Sequence, residues 1–397
     1  MCKWTAAEYG TQPERVREIM DALIIYTVKT FLDYTNHLYD DEEVDIVVGI
    51  LLPKDRVRIP KIGGYVEHVI PSLSSEYFKM HFRMKPSTFE YILNEIGDKL
   101  CRTSDGNEMI PANKQFLLSL WRFATPDSYR SIIERFGVGK ATGVRAVRRV
   151  AKALCELSPR YITWPTENKI QDIIYNFSRP SGFPNVIGAI DGSHINIPAP
   201  TENPEAYVNR KGRHSIHLQA VCDHARLFTH IYVGNVGSVH DARVFRLSSL
   251  QEYINDANKF PNDTHIIGDA AYTLHQHLLV PYVGNGHLTQ QQKNYNFCHS
   301  SARMVIERAF ALLKGRWRSL LHVLAVNDIE FVPYDILACC VLHNICLLQK
   351  DELELEEIFI VDREEVILRE ERINDNNRYI AELKRNNICA NLRMRNA

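Results

Sequence analysis

Two short apolar runs that each close on aspartate constrain this chain most. "VIGAID" ends at Asp191 and "THIIGD" ends at Asp269. Short apolar runs bounded by Gly and Asp predict buried strands. In an open α/β sheet, ligands bind beyond the carboxyl ends of the strands. Two neighbouring strands that end this way would bring two carboxylates to one edge. The local pattern leaves another reading open. In "NVIGAIDGSHINIPAP" the Asp191-Gly192 pair stands between two β-like runs, which is the strongest short-range hairpin signal. These residues alone do not decide between a turn and a carboxylate at the lip of a strand.

A third acid follows on a helix. "SSARMVIERAFALLKGRWRSLL" spaces Val305, Ile306, Ala309, Phe310, Leu312 and Leu313 as a buried side. Glu307 falls on the other side, with Arg303, Lys314 and Arg318 around it. The combination matters for phosphodiester chemistry. Such a reaction needs an oxygen made nucleophilic and a leaving oxygen made tolerable, and two Mg²⁺ ions about 4 Å apart do both. Mg²⁺ (or Mn²⁺) takes a few carboxylates plus water and substrate oxygens. Asp191, Asp269 and Glu307 are therefore the candidate catalytic and metal-ligating residues, and the cations beside Glu307 could hold a phosphate backbone. Each acid also has a plainer explanation. Asp191 could sit in a turn, Asp269 could cap the next helix, and Glu307 could pair with Arg303 at helical spacing for a few tenths of a kcal/mol. It is the three arriving together that favours a metal site.

The rest of the chain divides by pattern. Residues 1–112 read as helical, with an irregular Pro- and Gly-containing stretch between about 45 and 71 and with Ser87 as a candidate N-cap. Residues 113–160 read as three helices, the last two joined by the tight turn "GVGK", which is a helix-turn-helix pattern. The net charge of the 397-residue chain is −1, so any nucleic-acid footprint must be local. Residues 111–160 hold ten Lys/Arg against three Asp/Glu, and the last helix carries Lys140, Arg145, Arg148, Arg149 and Lys152, the kind of excess that phosphate contacts need. Residues 180–350 alternate strands and helices, which predicts an α/β domain. They include a loop-rich insertion from Leu279 to Asn296 and a closing helix, "YDILACCVLHNICLLQK". Residues 351–397 form a charged tail, expected to be partly helical and loosely attached. Nine cysteines without a CxxC pair predict reduced thiols of a cytosolic or nuclear protein. No secretory leader is legible, and no segment reaches membrane-spanning length without charge.

Six ordered blocks, "GAIDGSHINIPAP", "YVNRKGRHSIHLQAVCD", "GSVHDARVFRLSSL", "IIGDAAYTLHQHLLVPY", "SARMVIERAFALLKGRWRSL" and "ILACCVLHNICLL", together resemble the PIF/Harbinger transposase family, including its domesticated nucleases. The resemblance runs from about 180 to 350, and the helical region from about 75 to 157 is similar to that family's N-terminal half. It implies an α/β fold, with an RNase H-like mixed sheet flanked by helices and an all-α N-terminal region containing the helix-turn-helix. It also implies a DDE triad at Asp191, Asp269 and Glu307, spaced by 78 and 38 residues, and a metal-dependent transposase or nuclease acting on DNA in the nucleus; the reduced cysteines leave the cytoplasm as a second location. In many members a separate Myb/SANT-like protein assists. A homodimer is expected on DNA, since paired ends need paired active sites.

Three further features need a reading. Asp241, at the start of a helix, reads as a cap or as support for the metal ligands, and less readily as a residue that touches a metal itself. Arg210, Lys211 and Arg213 in "NRKGRH" could grip DNA or simply form an exposed turn. "CCVLHNIC" carries Cys339, Cys340, His343 and Cys346, but an apolar helix rich in Cys reads as core and not as a zinc site. The rival function is a domesticated, non-catalytic DNA-binding or chromatin adaptor.

Overall fold

The computed structural model describes residues 61–101, 109–284, 286–326, 328–353 and 375–394. The helix expected over residues 1–45 and most of the acidic stretch after 351 lie outside the described residues. A single π-turn at Tyr65–Val69 leads into two short helices, α1 (Ser75–Phe82) and α2 (Pro86–Ile96). The Ser74 side chain accepts from Tyr77 N and caps α1. Ser87, the expected cap of α2, lies inside its first turn, because Pro86 takes the first helical position and Lys85 precedes it.

Three helices then fall where the apolar spacing placed them: α3 (Ala112–Ala124), α4 (Tyr129–Arg135) and α5 (Lys140–Cys155). The turn between α4 and α5 requires Gly137, whose φ is 64° and whose added Cβ would lie 2.5 Å from the Ile62 carbonyl oxygen. The α3 helix is buried from Gln115 to Ala124. The α5 helix buries Ala146, Val147, Val150, Ala151 and Leu154 against it, and leaves Lys140, Arg145 and Lys152 exposed.

After α6 (Glu167–Ser181) the chain enters a mixed five-stranded sheet. Its strands are β1 (Val186–Asn196), β2 (Ser215–Cys222), β3 (Phe228–Val236), β4 (His265–Ile267) and β5 (Leu278–Leu279), in the order β3-β2-β1-β4-β5. Strands β3, β2 and β1 pair antiparallel, while β1, β4 and β5 pair parallel. The "DARVFRLSSLQEYI" segment, expected as one helix, breaks into α7 (Asp241–Leu247) and α8 (Leu250–Asn255) where Ser248 turns extended. The long helix α9 (Gln290–Arg316) starts well before Ser301. The last seven residues of the supposed loop insertion are therefore helix, opened by a capping box in which Thr289 and Gln292 bond reciprocally.

Helix α10 (Val332–Leu348) carries Cys339, Cys340, His343 and Cys346, all buried in the core. The stretch Ile329–Leu348 has a mean hydropathy of 1.8 and enough length to cross a membrane, but it is 72% buried in the protein and packs against α5 and β3. The tail is held more firmly than its composition suggests. Helix α11 (Asp375–Asn391) lies on α9, buries Ala381 and Cys389, and sends Lys384 Nζ to Asp263 at 2.9 Å. Lys61–Ala397 packs as one compact unit, so the pattern changes near 113, 160 and 180 do not interrupt the core.

Asp335, in the first turn of α10, is 2% exposed and its Oδ1 has no hydrogen-bond partner. Burial pushes its carboxyl up to about 7, against the pull of Arg122 and Arg148. An Asp with a raised native value keeps a proton that the unfolded chain has released, so stability falls as pH rises between about 4 and 7. Asp335→Asn should flatten that fall. Denaturant melts near pH 5 and near pH 8 should differ less in the variant, by on the order of 1–3 kcal/mol. An unchanged difference would show that Asp335 is ionised in the native chain throughout.

Candidate active site

The register of β1 against β4 sets the site. Ala189 lies opposite Ile267 in this parallel pair. Asp191 and Asp269 each follow two residues later, at equal offsets on strands that run about 4.8 Å apart. Strand β1 does not stop at Asp191, however. It continues to Asn196, with Asp191 opposite Ala220 and Gly192 opposite Gln219, so the hairpin reading fails. Gly192 serves another purpose. A Cβ added there would lie 2.1 Å from Asp241 Oδ1 and 2.6 Å from His217 Nε2. The missing side chain makes room for a third carboxylate.

That carboxylate is anchored. His217 Nε2 donates to Asp241 Oδ1 at 2.6 Å, and Arg210 Nη2 lies 3.8 Å from Oδ2. Asp241 does not cap α7: His240 holds that position, without a side-chain cap bond. Burial works against the charge on Asp241, but the His217 hydrogen bond and nearby cationic groups outweigh it and lower its carboxyl below the ordinary value. Asp191 and Asp269 go the other way. Burial raises Asp191 to about 8, opposed by Arg303 and reinforced by Asp269 and Asp241. Burial, then Asp241, raises Asp269 to about 6. Glu307 enters from α9 through an arginine fork: Arg303 Nη1 donates to Asp191 Oδ2 at 2.8 Å and Nη2 to Glu307 Oε1 at 2.6 Å. The plain helical pair Arg303–Glu307 is thus present, and it also reaches across to β1. Sequence reasoning missed His217. Its signal was the alternation in "HSIHLQ", which sets His217 and Gln219 on one face of β2.

A family profile described as DDE superfamily endonuclease matches residues 190–344. HARBI1 of Rattus norvegicus, named as a candidate nuclease, is 30% identical over 70% of this chain and 79% of its own. HARBI1 of Mus musculus is 32% identical over 66% of this chain and 75% of its own. A protein of Arabidopsis thaliana named antagonist of like heterochromatin protein 1 is 29% identical, over 70% and 74%. The chain belongs to the Harbinger transposase-derived nucleases. No solved structure matches it significantly.

The basic residues of this Harbinger-derived chain are placed unequally. Lys140, Arg145 and Lys152 are exposed on α5, with Lys152 Nζ 5.8 Å from the Tyr334 ring centre. Arg148 pairs with Asp328 at 2.7 Å and lies over Phe331, and Arg149 bonds to Gln115. Arg210 and Lys211 are exposed, and Arg210 lines a cavity of about 170 Å³ with His194, Asn209 and Asp241. Lys314 departs from the expectation of a cation facing DNA. It is 7% exposed, and Nζ donates to the His194 carbonyl oxygen at 3.0 Å, because the last turns of α9 are buried all round. Arg318 lies just past α9, partly buried in the short helix Arg318–Leu320. Among the described residues, no three His, Cys, Asp or Glu side chains stand close enough together to hold a metal ion as they are arranged.

Gly192→Ala should crowd Asp241 and His217 and lower stability by about 1–3 kcal/mol, measured as a fall in Tm. A variant as stable as the wild type would mean that the Asp241 carboxylate does not depend on that space.

Proposed function

We propose that this chain is a metal-dependent DNA nuclease of transposase descent, which cleaves and also joins strands on an RNase H-like scaffold. The observation that carries the reading is the equal offset of Asp191 and Asp269 on adjacent parallel strands, with Glu307 joined to Asp191 through Arg303. The β3-β2-β1-β4-β5 order, three antiparallel strands continued by two parallel ones, supports the scaffold. The DDE superfamily profile and the relatives named as nucleases support the reaction class.

The donor set suits a hard divalent cation, because Asp191, Asp269 and Glu307 offer only oxygens. Burial first, and the neighbouring carboxylates after it, raise Asp191 and Asp269; a divalent ion bound to their oxygens would offset both effects. These three residues would hold Mg²⁺ or Mn²⁺. When bound, the metal supplies the charge that favours an attacking oxygen and a departing one. In cleavage, water attacks phosphorus; the new P–O bond forms as the bond to the 3′ oxygen breaks, leaving a 3′-hydroxyl and a 5′-phosphate. In joining, that hydroxyl attacks a phosphorus of the target strand; the new P–O bond forms as the target's own bond to its 3′ oxygen breaks, and that oxygen leaves as a 3′-hydroxyl. His217 holds Asp241 ionised beside Gly192, and Arg210 and Lys211 stand exposed nearby to meet phosphates.

In this reading the exposed N-terminal half of α5, with Lys140 and Arg145, docks duplex DNA as the second helix of a helix-turn-helix. The protein works in the nucleus, with the cytoplasm as a second location, as a homodimer on DNA and with a Myb/SANT-like partner. The second reading is a non-catalytic chromatin adaptor. It is favoured by the relative named antagonist of like heterochromatin protein 1 and by the arginine lodged between two of the acids.

A plasmid-nicking assay with Mg²⁺ or Mn²⁺ separates the two. The nuclease nicks, and Asp191→Ala and Glu307→Ala each lose at least about 100-fold. Absence of nicking by the wild type, alone and with nuclear extract, would favour the adaptor. For the docking face, Lys140→Ala and Arg145→Ala should each reduce the slope of log affinity against log salt by about one. Lys314→Ala should leave that slope unchanged while lowering Tm. Unaltered slopes in the first two variants would move the DNA elsewhere.

A further inference from the structure

The Arg303 fork lies where the acids would have to converge. Asp191 has both carboxyl oxygens engaged: Oδ1 accepts from Gly192 N at 2.9 Å, and Oδ2 accepts from Arg303 Nη1 at 2.8 Å. Glu307 Oε1 accepts from the other arm of the same guanidinium at 2.6 Å. A fork that donates one arm to each acid holds their oxygens on the order of 4–5 Å apart. Oxygens that share one Mg²⁺ at about 2.1 Å must come within roughly 3 Å of each other. The fork therefore keeps Asp191 and Glu307 from sharing an ion, and among the described residues no three His, Cys, Asp or Glu side chains stand close enough to hold one.

We propose that Arg303 is a built-in counter-cation that competes with the divalent ion for Asp191 and Glu307 and must swing off both before the ion can enter; this rests on the metal reading given above. The other charged groups nearby have different duties. Asp241 is held by His217 and faces Arg210, and Asp269 Oδ1 accepts from Ala271 N at 3.0 Å. Lys314 is tied to the His194 carbonyl. Arg303 bridges two members of the triad, Asp191 and Glu307. It is anchored on α9 one turn before Glu307, so a rotation of its side chain frees both acids at once without moving the helix. Arg303 is thus a positioning residue. It holds Asp191 and Glu307 together until the ion arrives, and then becomes available to a phosphate oxygen.

The test is Mn²⁺ binding to the full chain, by calorimetry and by the electron spin resonance signal of free Mn²⁺, with Tm measured with and without the ion. Arg303→Gln should bind Mn²⁺ about tenfold more tightly than wild type, since an opposite charge beside a carboxylate shifts its affinity for a cation by at least that factor. Its Tm without Mn²⁺ should be lower, and its rise on adding Mn²⁺ larger. Arg303→Lys, which keeps the charge but cannot fork, should show the same change to a smaller extent, and it carries the test if Arg303→Gln does not fold. An Asp191→Asn control should lose Mn²⁺ binding. If wild type binds Mn²⁺ and the Arg303 variants bind equally or more weakly, the competition is refuted while the metal reading stands. If neither wild type nor variants bind Mn²⁺, both fail.

Discussion

Several carboxylates gathered at one partly buried sheet edge repel each other and resist losing water. The surrounding structure is organised around that constraint. Asp241 is met by His217 and Arg210, Asp191 by Arg303 and the Gly192 amide, Asp269 by the Ala271 amide, and Glu307 by the second arm of Arg303. Compensation is uneven. Asp241 is held ionised, whereas Asp191 and Asp269 are pushed toward the protonated form. A site with this imbalance is receptive to added positive charge, and that property links the fold to the proposed chemistry.

Keeping α9 in place is the mechanical side of the same problem. The helix must carry Arg303 and Glu307 to β1 while its far end is buried in the core. Its first turn is fixed by the Thr289–Gln292 capping box, its flank by α11, and its end by Arg316, which reaches the Arg83 carbonyl and the buried Asp351. Asp351 also accepts from the Lys85 amide at 2.6 Å and faces Lys79. The early helices are thereby tied to the end of α10. The helical half and the sheet share one core, so α5 can present Lys140 and Arg145 on a rigid support rather than on a tethered module.

Much of this was readable in the residues. Apolar spacing placed α3, α4 and α5, and the strands around Asp191 and Asp269 followed from short β-like runs. Local signals with more than one use left alternatives open or misled. Asp-Gly suggests a turn, but here Gly192 clears space for a side chain arriving from α7. Pro, Gly, Asn and Gln in the Leu279–Asn296 stretch suggested a loop, yet a capping box starts a helix within it. Lys314 looked like an exposed cation because helical periodicity cannot say that a helix end is enclosed on all sides.

What the sequence alone determined was the kind of chemistry available: three acids at the ends of predicted strands and on a late helix, and a local basic excess. These depend on side-chain type and short-range periodicity, which are properties of neighbouring residues. Only the tertiary structure decided the parallel register that sets Asp191 beside Asp269, the pairing of His217 with Asp241, and the bridging of two acids by Arg303. Each depends on segments 24 to 112 residues apart meeting at fixed distances. Charge compensation in a buried site is set by those distances, which no local pattern encodes.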